Sequence, residues 1–506
     1  MRVLDSLGRA LDLAIAPFAP AAALRRAQAR AAFLHVRAYE GAQKNRRTQG
    51  WRAGTTGPVG EVRAGRSVLR DRSRDLVRNN AWIANAVSMK VANQVGTGIR
   101  ARATTGNKEL DKRIDALFAE WSQACAPESG GDLFSLQALA ARTRCESGEG
   151  LVILDRTGGL TPAGVPLALQ VLEPDWIADD MAGTAGARNG WRDGIRFDDA
   201  GLRSAYRLWQ SNPAESGILF ARRAAREVPA GDVIHLFRQD RPGQIRGVPD
   251  VASAMMRIRD LDDYHDAALM LAKVQALLGV FVTSAGGPAD SSLGQPSTGA
   301  SGERLEDLAP GMLAYLRPGE DVKFLAPEPG GPFAEYTRIA LHLIAAGLET
   351  TYHELTGDLS DANYSSLRAG KIAVRRLLEQ HQWLVLIPRL CRPIWNAFIA
   401  QAIIAGRLPG TAANAPAKWT PPRFEMVDPS RDTEALKSQV RAGLLTWPEA
   451  VAEQGYDPEE QLAEIKAWNA KLTDAGVVLD IDPRLTTGVG GPVNPAATSA
   501  VALKGD

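Results

Sequence analysis

What this chain of 506 residues has little of limits what it can be. Three cysteines, Cys125, Cys145 and Cys391, are too few and too odd in number for a disulfide framework, and they fit a reducing compartment. No apolar run approaches the ~20 residues needed to span a bilayer. The segment Leu11–Pro20 carries an internal Asp and prolines and is followed by Arg25 and Arg26, which argues against a secretory signal. Six histidines, His35, His235, His265, His342, His353 and His381, are dispersed, and no metal or cofactor site is expected from them. His353-Glu354 lacks the second histidine of a zinc-binding His-Glu-x-x-His helix, and no phosphate-binding Gly-x-x-x-x-Gly-Lys-Ser/Thr loop exists. A formal net charge of +1 excludes a uniformly basic nucleic-acid binder.

What is present is a chain too long for one simple core, with ordinary globular composition: 45% hydrophobic and 23% charged residues. The positive charge gathers at the start, where residues 1–78 hold sixteen Lys and Arg against six Asp and Glu. Residues 1–67 read as a basic, largely disordered arm, either touching DNA or an assembly scaffold or simply solvated.

Ordered structure is expected from Val68, with helices over the charged run to Gly96, over Lys108–Gln123 and over Leu133–Ser147. Strands follow at Gly150–Asp155, Leu167–Leu172, Trp191–Phe197 and Ala205–Trp209. Helices followed by a mostly antiparallel sheet make residues 68–247 an α+β domain. Asp232–Phe237 reads as an apolar strand, Arg238–Gly247 as a polar turn, and the stretch from Val248 as a long helix with Pro249 in its first turn. At thirty residues that helix would be about 45 Å long. Its stripe includes Met255, Ile258, Leu261, Tyr264 and Leu271, and its acidic residues Asp262, Asp263 and Asp266 lie mostly elsewhere.

Gly279–Thr283 is read as a strand, Ser284–Gly302 as a loop, and Met312–Leu316 with Val322–Leu325 as a hairpin. A second helix runs from Phe333 to about Thr356. Gly357–Tyr364 is polar and breaks it, and Ser365-Ser366 caps a third long helix kinked by Pro388 and Pro393. Trp419–Val427 returns as a strand, a small helical region follows, and the Gly/Pro/Ala-rich tail from Leu485 is read as disordered.

Asp232-x-Ile-His-Leu-Phe followed by Arg241-Pro-Gly-Gln-x-Arg-Gly-Val248, and then Gly357-Asp-x-Ser-x-x-Asn-Tyr-Ser-Ser366, resemble the lambda-like family of tailed-phage portal proteins. The resemblance covers about residues 38–470. It implies a portal fold: an α/β wing at 68–247, a stem of helices 248–278 and 333–356, and a small β-containing clip at 279–332. A tunnel loop would follow at 357–366, a long kinked helix and return strand at 367–426, a helical crown at 427–484 and a disordered tail at 485–506. His235, Arg241, Pro242, Gly243, Gln244, Arg246 and Gly247 carry the first motif.

Functionally the resemblance implies a homo-oligomeric ring, twelve-fold in the virion, at one capsid vertex. That ring would be the channel for double-stranded DNA packaging and ejection. Expected partners are the terminase large subunit, the major capsid protein or scaffold and a head-completion adaptor, with no membrane. Assembly would take place in the host cytoplasm. Met255, Ile258, Leu261, Tyr264 and Leu271 are the expected oligomer interface. Asp358, Ser360, Asp361, Asn363, Tyr364, Ser365, Arg368 and Lys371 are the expected channel loop, which is polar between residues 357 and 366 and holds no Lys or Arg there; an outer-surface turn is its alternative. No enzyme activity is expected. The competing readings are a Cys/His hydrolase using Cys145 and His235, and a capsid adaptor without a channel.

Overall fold

The computed structural model describes residues 55–477 apart from 128–129, 157–160, 180–189, 213–223, 277–279, 285–295, 299–303, 307–319, 325–332, 361 and 423–427, together with six residues between 17 and 26. The chain divides into units Met1–Gly57 and Pro58–Asp506, and the architecture below is that of the second. Of the arm expected at 1–67, residues 58–67 instead open the first helix; apart from 55–57 and those six, the rest of the arm lies outside the described residues, as does the tail from residue 485.

The helix expected from Val68 starts ten residues earlier, at Pro58. Helix α1 (Pro58–Asn79) is charged along much of its length, and its arginines find acidic partners across the fold: Arg63 Nε lies 2.7 Å from Asp193 and Arg74 Nη2 2.6 Å from Asp175. Asn80 then stops α1 and starts α2 (Ala81–Val95), accepting from the backbone N–H groups of Trp82 and Ile83. Gly96, at φ 51°, ends α2 as the sequence suggests. Strand β1 (Arg100–Ala103), helix α3 (Lys108–Ser122) and helix α4 (Leu133–Ser147) follow, the helices capped by Asn107 and Asp132.

Every strand pairing among the described residues is antiparallel. A central sheet pairs β2 (Glu149–Asp155) with β3 (Ala168–Leu172) on one side and β8 (Val233–Phe237) on the other. A four-stranded sheet runs β4 (Trp191–Arg192), β5 (Ile195–Phe197), β6 (Arg203–Trp209), β7 (Ala225–Pro229). The expected single strand 191–197 is therefore a hairpin. Asp193 (φ 50°) and Gly194 (φ 77°) make a two-residue turn with both φ positive, which suits the twist of a tight hairpin.

Helix α5 (Met255–Ala276) starts seven residues later than the pattern from Val248 predicts. Residues 248–254 are turns instead, because the Asp250 N–H is taken by the Cys145 carbonyl (3.1 Å) and its carboxylate by Arg144 and Lys90. Beyond α5, β9 (Val280–Ser284) pairs with β12 (Glu320–Phe324), and β10 (Pro296–Thr298) with β11 (Arg304–Glu306) inside the expected loop. The expected strand Met312–Leu316 lies outside the described residues.

The second long helix is broken. Helix α6 (Phe333–Gly347) ends, Glu349 turns at φ 58°, and Thr351 caps the short α7 (Tyr352–Thr356) with a reciprocal Glu354 box. Asn363, not Ser365 or Ser366, caps α8 (Tyr364–His381). Pro388 does not interrupt the path: Gln382–Cys391 winds as a π-helical stretch into α9 (Arg392–Ile404), absorbing the missing N–H by widening the turn. β13 (Ala417–Thr420) returns to pair with β1. Three helices close the described chain: α10 (Pro429–Arg441), α11 (Trp447–Glu453) and α12 (Pro458–Asp474).

The largest core packs α3, α4 and the central sheet against the π stretch and α9. Trp121, Phe118, Trp395 and Phe398 form its aromatic centre, with ring centroids 4.9–6.2 Å apart. A second core joins α1, α2, α5, α6 and α7 through Val77, Ile83, Val87, Ile258, Leu261, Leu341, Ile344 and Leu355. Helices α10 and α12 bury no residue, and α11 only Ala450. Mixed helix and sheet is thus the observed class.

Candidate functional site

The first motif, the head of β2 and the approach to α5 converge on buried charge. Strand β2 begins with Glu149, whose side chain lies within the fold although the strand is otherwise apolar. Its carboxylate accepts from Arg246 Nε (2.8 and 2.9 Å), Arg246 Nη2 (2.6 Å), the Gly247 N–H (3.0 Å) and His235 Nε2 (2.9 Å). Burial alone would raise the Glu149 carboxyl, but Arg246 and His235 hold it well below the usual carboxylate range. His235 is pushed down to about 4 by burial, against the pull of Glu149. Its Nδ1 faces Arg203 Nη1 (3.1 Å), which is a donor only, so the neutral ring carries its proton on Nε2.

The rest of the first motif builds the turn that delivers Arg246. Gln244 Oε1 accepts from the backbone of Asp240 (3.0 Å) and Arg241 (3.2 Å), while its Nε2 donates to the Arg246 carbonyl (2.9 Å). Gly243 sits at φ 81°, Pro242 is exposed, and Arg241 pairs with Glu61 on α1. Gly247 has a different reason to be glycine: a Cβ there would meet the Gly148 carbonyl oxygen at 2.1 Å and the Phe237 Cβ at 2.9 Å. Gly148 presses the other way on the backbone of Val248 and Pro249. Two main chains touch here with no space for side chains.

One residue further on, Asp250 accepts both Arg144 nitrogens at 3.0 Å and Lys90 Nζ at 2.6 Å. Burial works against its charge, and Arg144 and Lys90 overcome that to hold it far below its ordinary value. Lys90 also reaches Glu349 (3.5 Å), the left-handed residue after α6, and Arg238 binds Glu349 at 2.8 Å. A chain of charges therefore ties α2, α4, the 238–250 turn and the end of α6 together. Sequence reasoning missed Glu149, Asp250, Arg144, Lys90 and Glu349. The available signal was an acidic residue between two glycines at the head of an apolar strand.

The five residues expected at an oligomer interface divide. Met255, Ile258 and Leu261 lie in the chain's own core, at 7%, 1% and 1% exposure, so they offer no outer surface; the stripe faces α1, α2 and α6 instead. Tyr264 is half-buried and stacks on Phe333, with centroids 5.5 Å apart. Leu271 is exposed, and with Leu269, Met270, Phe333, Tyr336, Ile339 and Leu343 it makes a broad apolar surface on α5 and α6 that the described residues leave uncovered.

The 357–366 connection is polar and exposed. Asp358 accepts from the Ser360 N–H (3.0 Å) and from Tyr352 OH (3.2 Å), the first an Asx-turn, and the Ser360 bonds lower its carboxyl. Asn363 and Ser366 serve as reciprocal caps of α8, Ser365 and Lys371 are exposed, and Tyr364 opens the helix. Arg368, expected to face a duplex or a neighbour, is bound within the chain to Asp432 on α10 (2.7 Å). Asp361 lies outside the described residues.

Cys145 and His235 do not form a dyad. The Cys145 thiol, raised by burial, contacts Arg144 (2.8 Å), while His235 is committed to Glu149, Arg203 and Tyr206. Among the described residues no group of three His, Cys, Asp or Glu could hold a metal, and no helix is long and apolar enough to cross a membrane.

Comparison with known proteins gives a consistent result. The family model described as "Phage portal protein, lambda family" matches residues 44–382. A probable portal protein of Halomonas phage phiHAP-1 is 24% identical over 412 residues, 78% of this chain and 79% of its own. The portal protein of Escherichia phage N15 is 23% identical, covering 80% and 87%, and portal protein B of Escherichia phage lambda is 22% identical, covering 78% and 81%. A chain from the neck of a native gene transfer agent particle aligns with 76% of this chain and 94% of its own at 15% identity, with a TM-score of 0.43, too loose a superposition to carry an argument.

Proposed function

The chain belongs to the lambda family of phage portal proteins, and from that we propose that it assembles as a closed ring at one capsid vertex, through which double-stranded DNA is packaged and ejected. It acts there as a structural channel and moves no covalent bonds. Terminase, the capsid or scaffold and a head-completion adaptor dock on it, in the host cytoplasm during assembly and then in the virion. In this reading the α+β part from Pro58 to Gly247 is the wing, α5 and α6 the stem, the β9–β12 region the clip and α10–α12 the crown.

The observation that carries the ring is the apolar surface of α5 and α6. Leu269, Met270, Ile339 and Leu343 are each more than half exposed on adjacent helices. Covering the exposed half of each of these four side chains is worth about 1–1.5 kcal/mol, which a neighbouring subunit recovers. Symmetry then closes the repeated contact into a ring.

The 357–366 connection is the proposed channel lining. A channel must let DNA slide. Twelve lysines each held to a phosphate would give a log–log salt slope of about −11, a trap rather than a bearing. A loop with Asp358, Ser360, Asp361 and Asn363 and no Lys or Arg fits sliding.

Electron microscopy of the purified protein tests the ring. Wild type should show closed rings with a central hole, and Ile339→Asp with Leu343→Asp should give folded, unassembled subunits. Wild-type particles without a hole, or intact rings from the double variant, would overturn the assignment.

A further inference from the structure

We propose that the cleft between β8, the β5–β6 hairpin and helix α9 binds an acidic polypeptide segment, its carboxylates held by Arg203 and Arg389 and its apolar side chains by Phe237 and Phe197. The cleft is about 890 Å³, at the upper end of the range for sites that enclose a ligand. Arg156, Arg203 and Arg389 are in its wall, and among the described residues no Asp or Glu lines it. Arg156 is already answered by Asp232, 3.3 Å away. The other two are not. Arg203 donates to the Ile245 carbonyl (3.1 Å), and it also faces Tyr206 OH (2.9 Å) and the neutral His235 Nδ1. Arg389 donates to the Phe237 carbonyl (3.0 Å) and to Gln239 Oε1 (3.3 Å).

Each guanidinium is thus held by neutral acceptors, and both lie over the ring of Phe237, 5.1 and 5.0 Å from its centroid. Elsewhere in this fold, the half-buried Arg70, Arg74 and Arg238 each have a carboxylate. Arg389 is pushed below its ordinary value by burial and by the charge of Arg203. Two like charges converge on one ring, so the field in the cleft is positive and an entering carboxylate would relieve it, with the planar forks suited to two-point binding.

The same wall presents Phe197, Leu202, Phe237 and Ala397. A nucleic-acid backbone offers phosphates without an apolar surface to match, whereas an acidic peptide offers both. The basic arm 1–67 is excluded as the occupant by its own charge.

The test uses the full-length protein and calorimetry at low salt, with a capped hexapeptide alternating leucine and aspartate as the probe. The aspartate peptide should bind, its asparagine counterpart at least tenfold more weakly. Arg389→Gln should weaken the aspartate peptide at least tenfold. Because Arg389 also braces β8, Leu202→Glu provides a second variant: it places a negative charge on an exposed rim residue without loss of packing, and it should weaken the same peptide. Equal binding of the two peptides, no binding, or unchanged affinity in Leu202→Glu would overturn the proposal. Inorganic phosphate binding as tightly as the peptide would reduce the cleft to a small-anion site and overturn it too.

Discussion

Replacing Glu149 by glutamine tests the buried cluster with almost no change of shape. The wild-type carboxylate answers the buried Arg246 with bonds of 2.6–2.9 Å and takes the Gly247 and His235 N–H groups besides. In Glu149→Gln, Arg246 keeps its charge at 2% side-chain exposure with no carboxylate bonded to it, and Asp179 and Asp193 act on it only through space. Removing one partner of a buried pair costs about 3–5 kcal/mol, since the remaining charge cannot be rehydrated. A glutamine carbonyl can still accept from Gly247 and His235, but its NH2 then faces the Arg246 N–H groups, donor against donor, so the bonds Arg246 makes to the other oxygen are lost together with the charge.

Removing the orphaned charge as well, in Glu149→Gln with Arg246→Met, should therefore recover about half of that loss. Full recovery is not expected, because the Asp193 carbonyl loses its donor, Arg246 Nη1 at 2.9 Å, and an unmet buried group costs about 1–3 kcal/mol. Urea unfolding followed by tryptophan fluorescence measures both variants. A loss below about 1 kcal/mol in the single variant, or a double variant as weak as the sum of the two single ones, would refute the reasoning.

Acid should destabilise the fold in two stages. His235 stays neutral down to about 4, whereas an unfolded histidine protonates near 6.5, so the unfolded state binds the extra proton and stability falls as pH drops from about 6.5 to 4, by about 3 kcal/mol when complete. His381, held down to about 3 by burial, adds to this first stage, and Glu149 and Asp250, both held low, extend the loss below about pH 4.5, where their unfolded counterparts protonate; a pH series of urea midpoints shows the two stages, and His235→Asn should lessen the first while the share of His381 remains. Gly247→Ala should cost at least about 3 kcal/mol, because its Cβ meets backbone on the Gly148 side, and a midpoint within about 0.5 kcal/mol of wild type would contradict that contact. Leu261→Asp should unfold the subunit by burying a charge, whereas Leu343→Asp should leave circular dichroism unchanged and abolish assembly. Asp358→Lys should preserve rings but stall packaging, less so at higher salt; normal packaging would remove this loop from the DNA path.

The sequence made legible what depends on local pattern. Helices α3 and α4 and strands β2, β3 and β8 lie close to where periodicity and caps place them, whereas the return strand expected at Trp419–Val427 is found at Ala417–Thr420, and residues 423–427 lie outside the described residues. Misreadings came where a tertiary partner outranked the local signal. Pro249 looks like a helix start, but Asp250 beside it is held by Arg144 and Lys90, so α5 begins at Met255. The stripe Met255–Leu261 was recognisable as apolar, but periodicity cannot distinguish a face covered by the same chain from one covered by a neighbour. The cluster around Glu149 joins residues separated by 86–98 positions, and no window on the sequence brings Glu149, His235 and Arg246 together. By contrast the polar character of 357–366 was plain, because it depends only on which residues are there.

The composition of the largest core has a consequence for how the protein is made. Its fully buried members run from Val95 to Leu236 and resume only at Leu386. On a ribosome adding 5–20 residues per second, the gap of roughly 150 residues takes about 8–30 s to cross. Throughout that delay Trp121, Phe118 and the inner face of β2 wait for Trp395 and Phe398, so the nascent chain carries an open apolar face that calls for a chaperone. The same delay withholds the finished core until Trp419 has emerged, and so would keep chains that stop short of it out of the proposed ring, which a single defective member would spoil.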